Sequence, residues 1–375
     1  MKKIILLAGI ACGFTQTLSA QMTNETMTVG AATRQYRQYI PTGFDSSTEP
    51  GLPLVIAMHG LGDTYIGFSA VDFQSVADTA RFILVYPNGT LNSWGQNSWN
   101  NGTLLSSTSD DYTFLSRIID TMYTRHNIDL AKVYVCGFSM GGIMTYHTLC
   151  AMPERIAAIA SVAGPMSTPD FSSCNPGRAV PVMHVHGTLD GTIAYSGSPL
   201  PTLTLPTATV AFWQDNNGCT DSTVTNLPDL VPGDTVTVER IDYNMCSEPV
   251  QLWRENNADH VWLYTPANDI DVTSEIWRFF YGKTHPAPSM IGIAENSQTV
   301  ELNLATTPTG ISIASSKNMH EIFITDMQGR TIFSSKENVG RTHEISLNNF
   351  QNQVLVVGVK CGNHYKMQKF GWTKQ

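Results

Sequence analysis

The chain has 375 residues, 42% of them hydrophobic, which is enough for one large core of roughly 250 residues and a smaller unit beside it. Its 22 basic and 31 acidic residues leave a formal charge of −9, and the acid is concentrated in the body, because the stretch from Met290 onward holds eight basic and six acidic residues. An acidic body with no basic run argues against nucleic acid and against strongly anionic substrates, so neutral substrates fit better.

Met1 to Ala20 carries Lys2 and Lys3, an apolar run from Ile4 to Phe14, and small residues at Ser19-Ala20, the pattern of a secretory signal peptide. Its apolar run is too short to span a bilayer, and no later stretch reads as a transmembrane helix. The mature chain is therefore expected to leave the cytoplasm as a soluble or surface-bound protein, in a compartment that permits disulfides. Six cysteines remain after the signal peptide, and their positions make Cys150 with Cys174 and Cys219 with Cys246 the natural pairs. Cys136 reads as a buried thiol inside a strand, and Cys361 as the odd one out in the tail. No cysteine shows zinc-ligand spacing, and neither metal nor cofactor is expected.

Short continuous apolar runs follow in chain order at Pro53 to Met58, Phe82 to Tyr86, Lys132 to Cys136, Ala157 to Ala163 and Val180 to Val185, and Val250 to Arg254 reads as another strand. Such runs predict strands buried on both faces. Between them, Phe114, Leu115, Ile118, Ile119 and Met122 give Asp111 to His126 a helical pattern, and Ile143 to Met152 reads as an amphipathic helix. Alternating strand and helix predict an α/β, doubly wound and mostly parallel sheet. After Gly282 the character changes. Lys283 to Met290 contains Pro286 and Pro288 and reads as a linker, and residues 291–375 alternate apolar positions at Val300-Leu302-Leu304, Ile311-Ile313 and Ile322-Ile324. Met327 to Arg330 reads as a hairpin turn, and the tail as a small all-β sandwich. The expected organisation is a signal peptide at 1–20, an α/β unit at 21–282, a linker at 283–290 and the sandwich at 291–375.

Gly137-Phe138-Ser139-Met140-Gly141-Gly142 follows directly on the run Val133 to Cys136 and precedes a helix, the strand, sharp turn and helix of a nucleophile elbow. A serine hydroxyl needs a base and a turn that lifts it clear of the backbone, and the flanking glycines permit such a turn. A doubly wound serine hydrolase brings its acid and its histidine from later strand ends, in the order Ser, acid, His. Asp190 closes the run Pro181 to Leu189 and is the candidate orienting carboxylate; a simple turn with Gly191 is the other reading. His260, in the loop after Val250 to Arg254, is the candidate base, whereas His184 reads as a satisfied buried histidine on the strand that also carries His186. Met58-His59-Gly60-Leu61-Gly62 ends the first buried strand in a glycine-rich turn. The expected oxyanion donors are the backbone N–H groups of Leu61 and Met140. A phosphate-binding turn would require a Lys-Ser/Thr pair or a full glycine fingerprint, and this turn has neither.

From about Thr42 to Phe280 the chain resembles the secreted esterases of the polyhydroxybutyrate depolymerase and feruloyl esterase group, which overlaps the first carbohydrate esterase family. The likeness rests on Met58 to Gly62, Tyr86-Pro87-Asn88-Gly89, Gly137 to Gly142, Pro153-Glu154-Arg155 with Ala157 to Gly164, and His184 to Asp190. It implies an α/β-hydrolase fold with Ser139, Asp190 and His260 as the triad. The family's histidine usually follows two glycines and precedes a residue, Trp, Pro and Gly; here it follows Ala258-Asp259, and Trp262 is followed by Leu263-Tyr264. Residues 291–375 resemble the C-terminal sorting domain of type IX secretion cargo from the Bacteroidetes, on the strength of Ile322 to Arg330 and a late strand, Val354 to Lys360, before a basic end. That resemblance implies type IX secretion machinery as a partner and passage through a Gram-negative outer membrane.

The implied substrates are feruloyl or acetyl esters of plant polysaccharides, with an aliphatic polyester as the alternative. A third reading is a glycan-binding protein on an inactive hydrolase scaffold. Trp94 and Trp99, in the Gly/Asn/Ser-rich loop after the second buried strand, and Trp262 beside the histidine are candidates to stack on an aromatic acyl group or sugar; packing under a long loop is the other reading for them.

Overall fold

Each of the five apolar runs and the stretch Val250 to Arg254 becomes a strand, and together they form the parallel centre of one sheet. The computed structural model describes residues 21–45, 49, 51–197, 199–286, 301–326, 331–335, 340–347, 350, 353–361 and 364–372. The expected signal peptide, the second half of the expected linker and the expected turn at Met327 to Arg330 lie outside the described residues. In chain order the main sheet has β1 (Gln21–Val29), β2 (Ala32–Ile40), β3 (Leu54–Met58), β4 (Ile83–Pro87), β5 (Val133–Phe138), β6 (Ala158–Val162), β7 (Val182–Gly187), β8 (Asp221–Asn226), β9 (Thr237–Asn244) and β10 (Val250–Asn256). Their spatial order is β1-β2-β4-β3-β5-β6-β7-β10-β9-β8. The six strands from β4 to β10 in that order run parallel, and an antiparallel pair flanks them at either edge.

The helices are α1 (Phe73–Ala80), α2 (Asp111–His126), α3 (Met140–Ala151), α4 (Thr168–Ser173), α5 (Pro206–Asn217) and α6 (Val272–Phe280). Alternate residues of each central strand serve opposite faces of the sheet. Leu54, Ile56, Met58, Val133 and Val135 pack with Phe114, Ile118, Met144 and Trp213 of α2, α3 and α5, while Val55, Ala57, Tyr134 and Cys136 pack with Phe73, Ala77, Ile276 and Phe280 of α1 and α6. Each buried Val, Leu, Ile, Met or Phe among them contributes about 1.5–3 kcal/mol. Helix α2 begins where the Asp110 carboxylate accepts the Thr113 N–H at 2.9 Å and stops at Asn127, which turns left-handed at φ 50°.

The stretch after the elbow departs from the amphipathic pattern expected of it. Helix α3 starts at Met140 rather than Ile143 and is buried along Met140 to Tyr146 and again at Thr148 and Leu149. It lies over β3, β5 and β6 with α4 on its flank, so it has no wide solvent face to keep polar. A disulfide joins Cys150 in its last turn to Cys174 just beyond α4, and a second joins Cys219 after α5 to Cys246 after β9. Both are the pairs expected from position, and both suit an oxidising compartment. Cys136 and Cys361 are buried free thiols.

The last segment forms β11 (Leu302–Thr307), β12 (Gly310–Met319), β13 (Glu321–Asp326), β14 (Thr331–Ser335), β15 (Gly340–Ser346), β16 (Gln353–Cys361) and β17 (His364–Trp372). They pair antiparallel in two sheets, β11-β12-β15 and β14-β13-β16-β17. Leu302, Ile311 and Ile313 of one sheet share a core with Ile322, Ile324, Leu355, Val357 and Trp372 of the other, which makes the segment a small sandwich.

Candidate active site

At the end of β5 the chain reverses through Ser139, whose φ of 54° and ψ of −117° lie outside the basins that L-residues favour. The turn is held from both sides: the Ser139 N–H donates to the Val162 carbonyl of β6 at 2.8 Å, and the Ile143 N–H donates to the Ser139 carbonyl at 3.0 Å. It closes tightly enough that a Cβ at Gly137 would run into the Gly141 carbonyl, and one at Gly141 into the Met58 carbonyl. The elbow is thus wedged against the end of β3. The Ser139 side chain projects from this turn at the carboxyl edge of the parallel strands, where groups from neighbouring strand ends converge.

The turn after β3 sits on the elbow, since a Cβ built on Gly60 would lie 3.4 Å from Ser139 Cβ. His59 anchors it from below. Its Nε2 accepts the Gly89 N–H at 2.9 Å, so Nδ1 carries the hydrogen and donates to the Gly60 carbonyl at 2.7 Å. Burial lowers the affinity of this imidazole for a second proton. Above it the Gly62 N–H donates to the Asn97 carbonyl at 2.8 Å. Leu61 lies between these two fixed points, and Met140 opens α3 on the other side of Ser139.

Asp190 and His260 come from the loops after the adjacent parallel strands β7 and β10. The Asp190 side chain is fully enclosed. Its Oδ1 accepts the backbone N–H groups of Thr192 and Ile193 at 2.8 and 2.7 Å, and its Oδ2 accepts from His260 Nδ1 at 2.7 Å. Burial works to raise this carboxyl, but the hydrogens offered by His186, His260 and Ile193 outweigh it and hold the group well below the ordinary carboxylate range. With Nδ1–H spent on Asp190, His260 presents Nε2 as a free acceptor, and 15% of the side chain reaches solvent. Its ring lies 4.9 Å from that of Phe138, the residue before Ser139. Asp259 laces the two loops together by accepting the N–H groups of Gly191 and His260 at 2.9 and 2.7 Å.

The three tryptophans divide. Trp94 is 63% exposed on its loop. Trp99 is wholly buried, with its ring 4.9 Å from His59 and its indole N–H donating to the His59 carbonyl at 2.9 Å, so it props the turn of Leu61 and lies out of reach of a substrate. Trp262 meets Phe68, Phe73 and Phe138 edge-on and donates to Thr273 Oγ1 at 3.1 Å, which is a packing arrangement. Sequence reasoning left two neighbours of Asp190 unassigned, His186 and the buried Glu255. The signal for His186 was its place four residues before Asp190, on the same strand face as His184. Among the described residues no three His, Cys, Asp or Glu side chains are grouped to hold a metal ion, and no helix is long and apolar enough to cross a membrane.

A mutant of the feruloyl esterase module from Clostridium thermocellum, solved with sinapinate, superposes with a TM-score of 0.50 at 16% identity, over 71% of this chain and 89% of that one. The fold is that of the α/β-hydrolases. Residues 44–201, which include Ser139 and Asp190 and stop short of His260, match the phospholipase/carboxylesterase family model. Residues 293–369 match a model described as a domain of unknown function. The chain is 36% identical over 166 residues to a bifunctional acetylxylan esterase/xylanase of Neocallimastix patriciarum and 29% identical over 203 residues to feruloyl esterase B of Piromyces equi. These matches cover 44% and 50% of this chain but only 22% and 36% of the relatives, so the chain spans a minor part of each relative's length.

Proposed function

We propose that the hydrolase unit is a secreted serine esterase acting on carboxylic esters, with Ser139 as nucleophile, His260 as base and Asp190 as the orienting acid. The bond from His260 Nδ1–H to Asp190 Oδ2 carries this reading, because it leaves Nε2 as the only ring nitrogen able to take a proton. In the reaction Ser139 Oγ attacks the ester carbonyl as His260 Nε2 takes its proton, and the tetrahedral oxyanion is received by the N–H groups of Leu61 and Met140. His260 then returns the proton to the leaving alcohol. Water, activated by the same nitrogen, hydrolyses the acyl-enzyme and regenerates the serine.

Feruloyl or acetyl esters of plant polysaccharides are the proposed substrates, a reading supported by the names of the similar proteins and by the exposed ring of Trp94, a stacking surface for an aromatic acid or a sugar. We propose further that the C-terminal sandwich directs type IX export, a reading supported by the Ile322 to Asp326 strand and the late strand Gln353–Cys361.

A fluorophosphonate probe mapped by mass spectrometry should label Ser139, and Ser139→Ala should abolish hydrolysis of a short-chain nitrophenyl ester. Label on another serine, or full activity in the variant, would overturn the proposal. Rates on feruloylated arabinoxylan, acetylated xylan and a hydroxybutyrate oligomer then rank the acyl groups, and a preference for the last would replace the polysaccharide reading with the polyester one.

A further inference from the structure

Beside Asp190 runs a line of buried polar groups that the reaction above leaves unused. His184 and His186 occupy the same face of β7 and are both fully buried. Tyr146 Oη of α3 lies 2.9 Å from His184 Nδ1, His184 Nε2 lies 3.2 Å from His186 Nδ1, and His186 Nε2 lies 2.8 Å from the Ile193 carbonyl and 3.2 Å from Asp190 Oδ2.

The partners at the far end fix every hydrogen in this line. A carbonyl and a carboxylate only accept, so His186 Nε2 carries its hydrogen, bonds the Ile193 carbonyl and approaches Asp190 Oδ2 to 3.2 Å. In a neutral ring Nδ1 is then an acceptor, so His184 Nε2–H must donate to it. That leaves His184 Nδ1 as an acceptor, and the Tyr146 hydroxyl donates there. A cation at His186 would reverse the line and turn the Tyr146 hydroxyl hydrogen away from its ring partner inside a site closed to water, at a cost of about 1–3 kcal/mol. Burial also opposes a charge on His184. All three dipoles therefore point toward the carboxylate, the arrangement in which successive hydrogen bonds strengthen one another.

We propose that His186, backed by His184 and Tyr146, is a positioning residue for the triad: it offers a second hydrogen to the same Asp190 oxygen that receives His260, and so fixes how that oxygen faces the base. The inference rests on the triad reading above. Asp190 is otherwise met by the N–H groups of Thr192 and Ile193, by His260 and, across the strand pair, by the buried carboxyl of Glu255. Of these, only His186 and His260 bring an imidazole N–H to Oδ2. Removing His186 leaves His260 as the single side-chain donor, on a carboxylate freer to rotate and more basic.

Two measurements on the full chain test this. In nitrogen-15 spectra of histidine-labelled protein at about pH 8, assigned through Tyr146→Phe and His186→Gln, both His184 and His186 should be Nε2–H tautomers. An Nδ1–H tautomer at either ring would overturn the proposal. In kinetics on a nitrophenyl ester, with active sites counted by fluorophosphonate so that misfolded molecules drop out, His186→Ala should lower kcat roughly tenfold or more with KM within twofold. His186→Gln, whose amide can donate to the same oxygen, should recover part of the loss, and Tyr146→Phe should lose about two- to threefold. Wild-type kcat per active site in His186→Ala would refute the positioning role while leaving the triad intact. Activity surviving in Ser139→Ala would instead refute the triad reading itself.

Discussion

Glu255 gives the sharpest prediction about stability. Its side chain lies on β10 opposite Gly187, it is 1% exposed, and its Oε1 has no hydrogen-bond partner among the described residues. Burial first, and the Asp190 charge second, raise its carboxyl from the ordinary 4.5 to about 8. Between those values the folded chain keeps a proton that the unfolded chain has released, so stability falls as pH rises through the window and levels off above about 8. At about 1.4 kcal/mol per pH unit, the whole window amounts to roughly 4–5 kcal/mol, and the part between pH 5.5 and 8 to about 3 kcal/mol. Glu255→Gln keeps the shape and removes the titration. Unfolding free energies of the wild type and the variant, measured in urea at pH 5.5, 7 and 8.5, should therefore diverge by about 3 kcal/mol in favour of the variant as pH rises. Taking the difference between the two proteins cancels every other titrating group. A divergence below about 1 kcal/mol would show that Glu255 ionises near its ordinary value, and the account of a dry pocket behind Asp190 would fail.

Asp111→Asn should destabilise the hydrolase unit by about 3–5 kcal/mol in the same urea assay, because it strands Arg34, whose guanidinium is buried 2.6 Å from Asp111 and 4.0 Å over the Phe114 ring. Removing the Cys150–Cys174 bridge with paired serines should cost about 3–4 kcal/mol, given its 24-residue separation, with the loss read from urea midpoints. Trp99→Phe keeps the packing but deletes the hydrogen bond to the His59 carbonyl, so kcat should fall severalfold with KM little changed in steady-state ester hydrolysis. Trp94→Ala should do the reverse on a feruloylated substrate, raising KM and leaving Tm within about a degree, since an exposed side chain adds little to the fold.

What the sequence made legible follows from how each element is buried. Strands β3 to β7 are covered on both faces, so they appear as largely apolar runs that no exposed strand would carry, whereas β10 is half-buried and reads as a mixed one. The edge strands were illegible for the opposite reason. β1 and β8 face solvent along much of their length, and Gln, Thr, Asn and Asp there look like loop. Asp190 and His260 were recoverable because each sits directly after a recognisable buried strand. Trp94 and Trp99 were inseparable, since they share one loop of uniform composition, and only the contact between Trp99 and His59 distinguishes a prop from an exposed ring. The line from Tyr146 to Asp190 joins a helix to a strand across 38 residues, a relation that no local spacing encodes.

The conformation at Ser139 bears on how this scaffold can be engineered. A non-glycine residue at φ 54° and ψ −117° costs about 1–3 kcal/mol, and glycine would relieve most of it. Heat resistance and turnover therefore pull in opposite directions at this one position. A library screened only for survival at high temperature would drift toward glycine at 139 and enrich well-folded molecules without the proposed nucleophile, so a thermostabilising campaign has to hold this codon fixed or select for hydrolysis in the same round.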